Sequence, residues 1–211
     1  MKHLNTYITE YIIKKKLDAP IDSEDHYEYF PKTKQELRKN IRELLDANVY
    51  DLNCIDTSEI IDMASLFESG NYNKTLDNID ISKWDVSKVK HMSGMFAGYE
   101  NFNCDLSKWD VHNVKTMEYM FYNCGNFDCD LSNWNVSKVT NMYTMFEGCS
   151  KFKGKGLENW NVSKVENISY MFFDCINFDC NLSNWNVNNV KNMERMFYNC
   201  NLKNTPKWYK E

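Results

Sequence analysis

The residues of this 211-residue chain most able to do chemistry are its eight cysteines and a recurring set of carboxylates. Cys124, Cys149, Cys175 and Cys200 return every 25 or 26 residues, and Cys104, Cys129 and Cys180 form a second, sparser series. Thiolates so arranged could ligate zinc or close disulfides. However, the pairs Cys124/Cys129 and Cys175/Cys180 have four residues between them, longer than the usual zinc-knuckle spacing, and a linear ladder of thiols makes a poor tetrahedron. Tyr99 and Gly154 hold equivalent positions elsewhere, a substitution that suits packing better than ligation. The cysteines therefore read as small buried residues, and we expect neither a metal nor a cofactor.

The carboxylates Asp105, Asp128, Asp130 and Asp179, with Asn103 and Asn181, alternate with Phe, Cys and Leu. Two acids on one face, two residues apart, could hold a cation or share a proton. Such chemistry needs a pocket, and a flat face offers none, so these acids read as a solvated contact surface. His91 and His112 occupy different offsets, so no Ser-His-Asp set can be assembled. A chain with seven glycines also shows no phosphate-binding loop. The expectation is that the protein is not an enzyme.

What remains are positions whose residue type changes from unit to unit. Tyr119, Tyr143 and Tyr170 could form an exposed aromatic stripe, and Arg195 stands further on at the offset of Tyr119 and Tyr170. Aromatics and arginine are enriched at protein interfaces. These four residues, together with the four aspartates, are the candidate partner-binding set.

The frame that must position them is periodic. Tryptophans at 84, 109, 134, 160 and 185 fall 25, 25, 26 and 25 residues apart, which marks a stacked architecture. Full copies occupy 84–108, 109–133, 134–159 and 160–184; 185–211 is a truncated last copy, and a degenerate first one begins at Ile55. Val139, Met142, Met145 and Phe146 are spaced three, three and one, which predicts a two-turn helix capped by Ser137. Phe127-Asp128-Cys129-Asp130-Leu131 alternates with period two and predicts a half-buried strand. The expected fold is an α/β repeat solenoid of short parallel strands and short helices. Strands stack about 4.8 Å apart and helices about 10 Å, so full helices would bend the stack. The extra residue in Phe152-Lys153-Gly154-Lys155-Gly156-Leu157 predicts a bulge. Asp85, Asp110, Asn135, Asn161 and Asn186 follow each tryptophan and should close a turn.

Residues 1–50 lack the period and predict an N-terminal helical cap, leaving 51–211 as a solenoid of about six 25-residue units. Leu4, Tyr7, Ile8, Tyr11 and Ile12 have helical spacing. Thr33 and Glu36 form a capping box ahead of an apolar stripe, Leu37, Ile41, Leu44 and Leu45. A net charge of −5 and a pI near 5.5 do not suit a nucleic-acid binder. No run reaches the roughly 20 apolar residues of a membrane span, and no signal peptide opens the chain, so the expected location is cytoplasmic. A leader removed from the chain would place it at a cell surface instead. A monomer or weak oligomer that binds a protein partner is the resulting expectation.

The phrase Trp-Asp/Asn-Val-Ser-x-Val-x-x-Met-x-x-Met-Phe, followed by Phe-Asn/Asp-x-Asp-Leu/Ile-Ser, resembles the BspA-like leucine-rich-repeat surface proteins. That group includes the roughly 25-residue repeats of mycoplasma lipoproteins, and the likeness covers about residues 50–208. The resemblance implies a right-handed leucine-rich-repeat coil that binds other proteins, commonly at a cell surface, with no catalytic residues. An effector that binds a host protein, an adhesin, and a metal-binding or enzymatic solenoid are the functional readings compatible with such an array.

Overall fold

The computed structural model describes residues 27–68, 70–72 and 76–210. The first amphipathic segment of the sequence, Leu4 to Ile12, lies outside the described residues.

One α-helix, α1 (Lys34–Asp46), is present among the described residues. It starts at the expected capping box: the Glu36 amide donates to the Thr33 hydroxyl at 3.2 Å, and the Thr33 amide donates to the Glu36 carboxylate at 3.1 Å. It stops where Asn48 turns left-handed (φ 58°), with the Val49 amide returning to the Leu44 carbonyl at 2.9 Å. Leu37, Ile41, Leu44 and Leu45 are fully buried and join the core of the array. From the same helix Lys34 Nζ reaches the Ala64 carbonyl at 3.3 Å and Arg38 Nη2 reaches that of Ser65 at 2.8 Å. Lys34 takes a place that the preceding unit fills further along, where for instance the Thr144 amide donates to the Ser169 carbonyl.

The rest of the chain corrects the expected fold class. Among the described residues there is no β-strand, and besides α1 only a three-residue 3₁₀ turn, Leu157–Asn159. The array is not a coil of parallel strands and helices. Each unit is instead a chain of tight turns that closes one layer, and the layers stack. Isolated parallel bridges record the register: Asp62 to His91, His91 to Thr116, Thr116 to Asn141, Asn141 to Asn167 and Asn167 to Asn192.

The physical reason lies in two left-handed columns. Ser65, Gly94, Tyr119, Thr144, Tyr170 and Arg195 share one offset, and every one has a φ between 49° and 64°. Gly98, Asn123, Gly148, Asp174 and Asn199 form the second column, also at positive φ. No α-helix passes through such a residue. Across 117–123 the amides alternate between two destinations. Met120 and Tyr122 close turns onto Met117 and Tyr119, while Met117, Tyr119, Phe121 and Asn123 donate to the next layer at 2.7–3.1 Å. A three-residue turn and a helical turn both bury every third side chain, so the spacing of Val139, Met142 and Met145 suits either. Ser137 does not cap a helix; its amide donates to Asn135 Oδ1 in a turn. With no helix inside a layer, the expected bending mismatch does not arise.

The alternating segment buries Phe127, Cys129 and Leu131 as expected. It forms no strand because side chains occupy the ladder positions: the Asp128 amide donates to Asn103 Oδ1 at 3.1 Å, and the Lys153 amide to Asp128 Oδ1 at 3.0 Å. Nor does the extra residue at 152–157 make a strand bulge. Gly154 and Gly156 turn left-handed (φ 82° and 93°) and lead into the 3₁₀ turn.

Two columns hold the layers together. Each tryptophan indole donates to a carbonyl of the preceding layer, at 2.8–3.2 Å from Trp84 to Trp208. Phe67, Phe96, Phe121, Phe146, Phe172 and Phe197 stack with centroids 5.5–5.8 Å apart. Val187, Val190, Met193 and Phe197 of the last described layer, whose counterparts are buried in inner layers, are only partly buried.

Candidate functional site

The cysteine columns lie inside this stack. The thiols of Cys124, Cys149, Cys175 and Cys200 point at the carbonyls of Phe96, Phe121, Phe146 and Phe172 in the preceding layer, at 2.7–3.1 Å. Burial pushes the pKa of Cys149 and Cys175 well above the usual thiol range and that of Cys200 to about 12. In the second column, burial raises Cys104 and Cys129 to about 11. Thiols held protonated in this way are poor nucleophiles and poor metal ligands. Among the described residues no group of three or more His, Cys, Asp or Glu side chains is placed to hold a metal ion.

The four aspartates divide between turn closure and ion pairs across layers. Asp105 Oδ1 accepts the Ser107 amide at 2.9 Å, and the Ser107 hydrogen bonds hold its pKa below the usual range. Asp130 accepts the Ser132 amide at 3.0 Å and pairs with Lys155 Nζ at 2.6 Å, which lowers its pKa to about 2. Asp128 pairs with Lys153 Nζ at 2.7 Å, and Asp179 pairs with Lys203. These acids are not brought together as a paired site; three of the four are answered by a lysine one layer on. Of the four, Asp128 lines a shallow polar groove of about 560 Å³, with Asn101, Asn103, Asn126, Lys151, Lys153 and Asn177. The column after the tryptophans closes turns: Asp85, Asp110, Asn135, Asn161 and Asn186 each accept the amide two residues on, at 2.9–3.2 Å.

The tyrosines do meet. Tyr119 and Tyr143 contact edge to face with centroids 5.0 Å apart, and Tyr143 meets Tyr170 in the same way at 6.1 Å. The strip is longer than the sequence suggested. Tyr122 packs on Tyr119 at 6.0 Å, Phe173 on Tyr170 at 5.7 Å, and Tyr198 stacks on Phe173 at 4.8 Å. Arg195 joins it, its guanidinium carbon 6.0 Å from the Tyr198 ring centroid. The missed residues share one offset, three beyond Tyr119, Tyr170 and Arg195; reading that column would have found Tyr122, Phe173 and Tyr198. Tyr119 is 41% exposed and Tyr198 52%. Burial and the Tyr143 hydroxyl raise the Tyr119 pKa to about 12, while the bond from the Tyr170 hydroxyl to Glu194 raises that of Tyr170.

Backbone geometry bears on why these side chains are here. Tyr119 and Tyr170 occupy the left-handed column that Gly94 occupies more cheaply, at φ 58° and 57°. Bulky residues at that offset do nothing for the turn itself. Their rings instead meet the ring of Tyr143 in the layer between them.

Fold and site together define a layered, turn-built protein whose chemistry lies on outer faces rather than in a cleft. The chain belongs to the family described as "Mycoplasma protein of unknown function, DUF285", whose matches span residues 35–157 and 129–209. No curated protein and no solved structure matches it at a significant level. Among the described residues no helix is long and apolar enough to cross a membrane.

Proposed function

We propose that this chain is a non-catalytic protein-interaction module that binds its partner through the aromatic strip. The observation carrying this reading is the continuous run of ring contacts over Tyr122, Tyr119, Tyr143, Tyr170, Phe173 and Tyr198. Rigid aromatic side chains with few rotatable bonds bring large contact area at small entropic cost. The aspartate face is the weaker candidate, because its charges are spent on lysines of neighbouring layers. The resemblance of the repeated phrase to BspA-like surface arrays supports a binding role over a catalytic one. On that finer reading the module acts by presenting a surface, whether as an effector against a host protein or as an adhesin.

The test pairs two baits in pull-downs from the native host: the wild-type chain and a variant carrying Tyr119→Asn, Tyr143→Ser and Tyr170→Asn. Asn suits the left-handed positions 119 and 170, as Asn123 does its own, and Ser is already native at 93 and 169, the sites that match 143. A protein enriched by the wild type and lost by the variant supports the reading. Equal capture by both baits, with both folded, excludes the strip.

A further inference from the structure

Resting on the strip as the binding surface, we infer that its partner is an arginine- or lysine-rich protein segment, seated on the tyrosine rings between carboxylates. The strip spans 118–122, 143–147, 170–174 and 194–199, which hold four carboxylates (Glu118, Glu147, Asp174, Glu194) and one cation, Arg195.

The carboxylates are satisfied mainly by neutral donors, so their charge is left largely uncancelled among the described residues. Glu118 accepts from the Ser93 hydroxyl at 2.5 Å and from Asn141 Nδ2 at 2.8 Å. Asp174 accepts from Asn199 Nδ2 at 2.9 Å. Glu194 accepts from the Tyr170 hydroxyl at 3.0 Å, with Arg195 Nε no nearer than 3.9 Å. The contrast with the aspartate face is direct, for there Asp128 and Asp130 each have a lysine within 2.7 Å. Burial and the neighbouring Asp174 charge raise the pKa of Glu147, the signature of a negative site that a cation would relieve.

The rings add the second half of the recognition. Interplanar angles of 86° between Tyr119 and Tyr143, and between Tyr143 and Tyr170, leave these rings unstacked on one another. A guanidinium or ammonium can then rest on a ring face while its N–H groups reach a carboxylate. Arg195 already lies near both kinds of group, its Nε 3.9 Å from Glu194 Oε1 and its guanidinium carbon 6.0 Å from the Tyr198 ring centroid. An acidic partner such as nucleic acid or an anionic membrane is repelled by the same four charges.

The experiment is fluorescence polarisation with labelled nona-arginine, nona-glutamate and Gly/Ser peptides against the full chain at low and moderate salt. The expected result is binding of the arginine peptide only, weakened about tenfold by Glu118→Gln, Glu147→Gln, Asp174→Asn and Glu194→Gln together, and about tenfold by the tyrosine variant. A chain of net charge −5 attracts polycations generally, so a control removes the same charge elsewhere: Asp56→Asn, Asp85→Asn, Asp105→Asn and Asp110→Asn. Asparagine is already native at the matching sites Asn135 and Asn181, so the control should fold and keep binding within about twofold. Equal losses in control and strip variants, or binding of nona-glutamate, overturn the inference. If the inference falls while the tyrosine variant still loses its captured partner, the binding surface stands and only the partner's chemistry is wrong.

Discussion

Replacing Trp134 by Phe tests how the layers are held. The indole N–H of Trp134 donates to the Leu106 carbonyl at 3.0 Å, and that oxygen also accepts the Trp109 amide at 3.1 Å within its own layer. Removing the indole therefore leaves the carbonyl with one partner rather than none. The lost bond costs about 1 kcal/mol rather than the larger penalty of an orphaned buried group. Phe is smaller than Trp, and at a site 3% exposed the space left costs about 1 kcal/mol more. The sum, about 2 kcal/mol, corresponds to a fall of about 4–8 °C in Tm for a chain of this length. Trp208 makes the same bond, to Leu182 at 2.9 Å, but is only partly buried in the last described layer. Its replacement by Phe should cost about 1 kcal/mol or less. Urea unfolding followed by circular dichroism gives both values. A Trp134→Phe variant as stable as wild type, or a Trp208→Phe variant that loses as much, would refute the account of the indole ladder.

Three further outcomes follow from single sites. Gly156→Ala should be strongly destabilising and Gly94→Ala mild, at about 1 kcal/mol, by the same measurement. An added Cβ meets the Ser132 backbone nitrogen at 2.3 Å in the first case and only the Ser65 hydroxyl at 3.3 Å in the second. Asp130 should titrate near pH 2 by carboxyl NMR. Its folded pKa is depressed, so its contribution to stability is present above the unfolded value near ~4 and is lost as pH falls through the folded one; Lys155→Met should move the midpoint upward. Native-state alkylation at about pH 8 should spare Cys149 and Cys175, whose burial holds them protonated, and label them only after unfolding. Rapid labelling of these two without unfolding would contradict the packing of that column.

Legibility differed from residue to residue. The pairing of the aspartates could have been understood from the chain alone: adding 25 to Asp128 and Asp130 gives Lys153 and Lys155, so reading charges down a column exposes the pairs. The aromatic strip was half visible, through Tyr119 and Tyr170, which share an offset, and Tyr143, one position before it. Its extension to Tyr122, Phe173 and Tyr198 required knowing that residues three apart lie on one outer face.

By itself the sequence determined the layer length, the buried set and the start of α1, because hydrophobic recurrence and capping chemistry are local and repeat. Only the tertiary structure decided what each layer is made of. A spacing of three is common to helices and to successive tight turns, and the choice fell to the left-handed residues, which appear in sequence as unlike types: Ser65, Gly94, Tyr119, Thr144, Tyr170 and Arg195. The amides from Ser65 to Tyr170 bond between layers rather than along the chain, and a bond to a residue 24 to 28 positions away leaves no local signature.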